Sequence, residues 1–168
     1  MSRYVIILLL LSFQDNFTLT EIVRDYSPTK NQTTIRLPSK RLSGPKDRYH
    51  SLSYGIYYSH PGIEPALPKD VSFELVTVVK ARQLDSDLYV VFVIDGKEVH
   101  FSSNRIGMPK PMAGRLWVGE RMVFSIPRED FMKLAAAEKL GVKLGGVSFE
   151  FDEANRASVR AFAEAMKQ

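Results

Sequence analysis

The sequence predicts a mainly β, α+β fold. It is an antiparallel β-sandwich or partly open barrel of about eight strands, with a short helix near 127–136 and a C-terminal helix near 153–167. Three observations lead there. Residues 88–102, LYVVFVIDGKEVHFS, alternate about a central Asp95-Gly96. A two-residue Asp-Gly loop suits a type I′ hairpin turn, because glycine takes a positive φ without steric cost and aspartate tolerates one. That register sets Ile94 against Lys97, Phe92 against Val99 and Val90 against Phe101. A second hairpin is read around Gly145-Gly146, pairing Leu144 with Val147, Val142 with Phe149 and Leu140 with Phe151. All six then share one face, which a helix would not arrange. Finally, 168 residues at 45% apolar and 25% charged suffice for one domain with a core.

Taken in order, residues 1–14 read as a secretory signal peptide. Arg3 is followed by the compact apolar run Tyr4 to Leu11. This run is shorter than the roughly 20 residues a membrane-spanning helix needs, and its length suits a signal-peptide h-region. It lacks an Ala-x-Ala cleavage site, and the alternative is a buried first strand or helix of a cytosolic domain. Residues 15–32 read as a lead-in or short docking segment, with an amphipathic turn or two before Pro28. Two glycosylation-type triplets, at Asn16 and Asn31, count only in a eukaryotic secretory pathway.

The β-rich domain spans 33–168. Thr33–Leu37 is a short strand stopped by Pro38, and residues 38–50 are a basic loop. Residues 51–58 alternate, with Leu52, Tyr54, Ile56 and Tyr58 on one face, before a turn at His60-Pro61-Gly62. Val71 to Ala81 is a long strand whose apolar face is interrupted by Thr77. Residues 103–115 are a second loop, and Leu116 to Ile126 a strand bulged at Gly119. Pro127 suits a first helical position, ahead of Phe131, Leu134 and Ala135. Asp152 caps the last helix, whose Val159, Phe162, Ala163 and Met166 form a buried stripe, with Arg156, Arg160 and Glu164 towards solvent.

In this order the motifs TTIRL, YYSHPG, LPKDVSFELV, VIDGKEV, GERMVFSI, FMKLA and VKLGGVSFEF, with the closing helix, cover roughly residues 30–166. In that arrangement the chain resembles a loose group of exported bacterial proteins with no assigned function. The resemblance implies a strand-rich exported fold, periplasmic or extracellular. It implies no catalytic residue, cofactor or substrate.

Composition narrows the chemistry. The absence of cysteine excludes disulfides, thiolate catalysis, cysteine metal sites and a lipid anchor on an N-terminal cysteine. No phosphate loop, dinucleotide fingerprint or metal motif occurs; Asp85 and Asp87 serve a turn, and no cofactor is implied. His100 and Glu98, two residues apart on one face of the central hairpin, are the only candidates for a catalytic dyad, and no nucleophile motif accompanies them. The net charge of +4 permits an anionic partner without requiring one. The basic residues cluster in two segments: Arg36, Lys40, Arg41, Lys46 and Arg48, then Arg105, Lys110 and Arg115. Brought to one end of the sheet, they form a basic rim for an anionic glycan, a lipid headgroup or nucleic acid. The first expectation is a non-enzymatic exported domain that binds a protein or an anionic envelope component through a sheet edge or its loops. The alternatives are an anion-binding module on the basic rim, a small hydrolase built on His100, and a lipid carrier should the sheet enclose a cavity.

Overall fold

The structure is a computed structural model that describes residues 22–42, 49–79, 90–101, 103–105, 110–111, 118–144 and 147–167. It is an antiparallel β-sandwich with two helices. The large sheet contains β1 (Val23–Ser27), β2 (Gln32–Leu42), β3 (Tyr49–Pro61), β4 (Asp70–Val79), β7 (Ser103–Arg105), β8 (Lys110–Pro111) and β9 (Val118–Pro127). Its order is β1-β2-β3-β4-β9-β7, and β8 also pairs with β9. The small sheet runs β11-β10-β5-β6, from β5 (Val90–Ile94), β6 (Lys97–Phe101), β10 (Leu140–Leu144) and β11 (Val147–Glu150).

Both predicted hairpins form in the predicted register. Val90 faces Phe101, Phe92 faces Val99 and Ile94 faces Lys97. Asp95 and Gly96 both have positive φ, +48° and +82°, as a type I′ turn requires. Lys139 N–H donates to the Asp95 carboxylate at 2.8 Å, which ties this turn to the start of β10. In the second hairpin Val142 faces Phe149 and Leu144 faces Val147, and Phe151 N–H donates to the Leu140 carbonyl at 2.9 Å. The Gly145-Gly146 turn itself lies outside the described residues.

The small sheet covers only part of the large one. Phe92 sits edge-on to Phe73 at 5.1 Å and to Phe124 at 6.3 Å, and the space between the sheets is occupied by such rings. The inner face towards β2 is covered by helix α2 (Glu153–Ala165), and helix α1 (Arg128–Ala136) packs against α2, β4 and β9. Phe162 of α2 meets Tyr58 at 6.0 Å and Phe131 of α1 at 5.9 Å, both edge-on. Tyr54 joins the two covers. Its ring lies 4.9 Å from Phe151 and 5.7 Å from Phe73, and its hydroxyl donates to the Asn155 carbonyl of α2 at 3.1 Å. Burial pushes the Tyr54 phenol far up, so it stays a donor at any physiological pH. The side chain of Asp152 accepts from Asn155 N–H at 2.8 Å, the predicted cap, and Val159, Phe162, Ala163 and Met166 are all buried.

Several expectations change. The described residues hold eleven strands, not about eight. The segment read as a lead-in contributes β1, so the described fold starts before residue 33. Pro38 does not stop β2, which continues to Leu42. The β1 pairing ends at Val23–Arg36, so among the described residues β2 has no further partner on that side, and its register with β3 shifts between Leu37 and Lys40. A residue without an N–H is tolerated at such an edge bulge. No bulge occurs at Gly119, where β4 and β9 pair without interruption. Residues 103–105 and 110–111, read as loop, pair with β9. Pro127 ends β9 as the residue before α1. Arg156 is not a solvent-side residue: its side chain is 23% exposed and donates to the Phe151 carbonyl at 2.6 Å.

Two variants test this packing. Tyr54→Phe keeps the ring and removes the bond to Asn155, and is expected to lower stability in urea denaturation by about 1 kcal/mol. Thr77 is fully buried, and its hydroxyl has no hydrogen-bond partner among the described residues. Thr77→Val, nearly equal in shape, is expected to raise stability by about 1 kcal/mol in the same assay.

Candidate functional site

The strand registers relate the two basic segments. Lys40 pairs with Tyr54, Tyr54 with Leu75, Leu75 with Met122, and Met122 with Arg105. Lys40 and Arg105 therefore occupy one rung of the large sheet. Lys110 pairs with Gly119, which pairs with Val78, and Val78 pairs with Ser51, just beyond the Leu42–Leu52 pair that ends β2. At about 4.8 Å between neighbouring strands, β2 and β8 stand roughly 19 Å apart across this end. Arg41 lies on the adjacent rung, and its carbonyl accepts from the Asn155 side chain at 3.3 Å. Lys46, Arg48 and Arg115 lie outside the described residues.

Arg36 does not belong to this group. It pairs with Tyr57, three residues further along β3 from Tyr54, and its guanidinium forms an ion pair with Asp25 at 3.3 Å. A partly exposed pair of this kind leaves Arg36 engaged within the sheet.

His100 is exposed on the outer face of the small sheet, opposite Val91. The Glu98 carboxylate is held by the Lys143 ammonium, reached across the intervening strand β5. That hydrogen bond and the Lys143 charge keep its carboxyl below the ordinary range. The carboxylate that would orient His100 is thus committed elsewhere. Among the described residues no group of three or more His, Asp or Glu is placed to hold a metal ion. No helix among them is long and apolar enough to cross a membrane.

A third feature escaped the sequence reading. Arg24 pairs with Ile35, and Ile35 with Tyr58, so Arg24 shares a cross-strand row with two inner-face residues. It borders a half-open groove of about 460 Å³ between β1–β3, the segment 63–67 and the end of α2. A strand's period of two sets Arg24 on the side of Ile22, but the composition of Val23–Ser27 does not mark a strand.

Comparison with known protein families, with curated protein sequences and with solved structures gives no match.

The Glu98–Lys143 assignment has a direct readout. The folded-state carboxyl is depressed, so the pair contributes above the unfolded carboxylate value and is lost as pH falls through the folded one. Carboxyl NMR titration is expected to find Glu98 below the ordinary 4.5 and to find it moved upward in Lys143→Met.

Proposed function

We propose that the protein is an exported, non-enzymatic binding domain that engages an anionic envelope component at the basic end of its large sheet. The observation that carries this reading is the shared rung of Lys40 and Arg105, with Arg41 and Lys110 beside it. The two sequence runs 40–48 and 105–115 contain a single acid, Asp47. Cations spread along a rigid sheet end meet successive charges of a polyanion without any catalytic group. Export is supported by the basic start and short apolar run of residues 1–14. A hydrolase finds less support, because Glu98 is engaged by Lys143.

Binding of the full chain to heparin and to phosphatidylglycerol vesicles tests the reading. Affinity for at least one polyanion is expected to fall steeply with salt, as released counterions require. Lys40→Glu combined with Lys110→Glu is expected to weaken it by about tenfold or more and to flatten the salt slope. Lys133→Glu, on α1, serves as the control and is expected to change little. Salt-independent binding, or equal losses in both variants, would reject the proposal.

A further inference from the structure

The groove beside Arg24 has a composition that calls for a specific kind of ligand. Its walls are apolar: Ile22, Ile35, Pro65, Leu67 and Met166 all line it. Leu67 is 61% exposed and the neighbouring Ile63 60%, the two large apolar residues most open to solvent among the described ones. Single exposed apolar residues need no explanation, but Leu67 lines the groove and the Ile63 carbonyl accepts from Arg24, which lines it too.

Three polar side chains also line it, Arg24, Tyr58 and Lys167; Lys167 is paired with Glu164 at 2.7 Å, and the other two are incompletely used. Tyr58 is 4% exposed and lines the groove, yet its hydroxyl has no hydrogen-bond partner among the described residues. The hydroxyl opens onto the groove and is not sealed in the core. Burial raises the Tyr58 phenol, and the charge of Arg24 opposes that rise. The hydroxyl is therefore a protonated donor at neutral pH. Arg24 forms no ion pair among the described residues, and gives one N–H to the Ile63 carbonyl. A guanidinium has five N–H groups, so most of its donor capacity remains open. Asp25, next in the chain, is engaged by Arg36 instead.

We propose that this groove binds a single-chain amphiphile with a carboxylate head, the head received by Arg24 and the Tyr58 hydroxyl and the chain lying along Ile35, Leu67 and Met166. Two donors, one of them charged, select an anionic acceptor. At the end of α2 the Lys167 ammonium is already paired with Glu164, so the head lies on the Arg24 side and the hydrocarbon against Met166. A volume of about 460 Å³ falls within the range of small-molecule sites, which favours one acyl chain over a polypeptide. This site is separate from the basic end of the sheet and does not depend on that reading.

Calorimetric titration of the full chain with decanoate below its micellar concentration, beside decan-1-ol and acetate, tests the assignment. Decanoate is expected to bind about tenfold tighter than decanol, and acetate not measurably, since the chain supplies affinity and the head selectivity. Arg24→Gln and Tyr58→Phe are each expected to bring decanoate towards the affinity of decanol while leaving decanol unchanged, which a general loss of structure would not do. Leu67→Asp, at an exposed position, is expected to abolish binding of both while keeping the wild-type melting temperature. Equal affinities for decanoate and decanol, or undiminished binding by Leu67→Asp, would overturn the proposal. So would failure of decanoate to bind, the outcome expected if Phe17 and Leu19 of the chain's own N-terminal segment fill the groove.

Discussion

The hydrogen bond from Tyr54 to the Asn155 carbonyl marks the constraint on which the fold depends. The large sheet presents a wider inner face than the four-stranded sheet covers. The remainder must be buried by something else, and α2 does it, with Tyr58 and Phe162 in edge contact. Tyr54 sits at the seam: its ring touches Phe151 beside the small sheet, while its hydroxyl holds the helix. Leucine at this position would bury comparable apolar surface but leave the helix without that anchor. Asn155 completes the junction. Its backbone N–H is capped by Asp152, its carbonyl accepts from Tyr54, and its side chain donates to the Arg41 carbonyl at the end of β2. One asparagine thereby aligns α2 with the sheet edge.

What was legible in the sequence followed from period and turn chemistry. The Asp95-Gly96 loop sets its own register, and the alternation of Leu140, Val142 and Leu144 excludes a helix, so both hairpins emerged residue for residue. The α2 stripe was equally plain. The misreadings share a cause. Pro38 reads as a stop because a proline cannot donate to a ladder, yet among the described residues β2 has no neighbour on its β1 side at that point. Val23–Ser27 contains Arg, Asp and Tyr and lacks apolar alternation, because an edge strand is half-solvated and its composition reports that. Edge status is a property of the assembled sheet and is not written in the strand itself.

The candidate sites divide along the same line. Composition alone marked the basic segments, but only the pairing through Tyr54, Leu75 and Met122 places Lys40 and Arg105 on one rung. Spacing alone brought His100 and Glu98 together. It could not reveal Lys143, which arrives from β10 across β5 and takes the carboxylate. Arg24 and Tyr58 are distant in sequence and become neighbours across Ile35 only once β1 is known to pair with β2.

Helix α2 also separates the two surfaces. Asn155, in its first turn, touches the strand end that carries Arg41, while Ala165 and Met166 line the Arg24 groove. From Asn155 to Met166 the helix rises about 1.5 Å per residue, which puts roughly 16 Å between them. That exceeds the Debye length of about 8 Å at physiological salt, so the cations of the basic end neither strengthen nor weaken an anion held at Arg24. The surfaces share a rigid element but no side chain, and residues that far apart act additively unless the element between them has two states. Here that element is pinned at one end by Asn155 and packed through Phe162 against both Tyr58 and Phe131. A single well-anchored position follows for α2, and with it independence of the two surfaces.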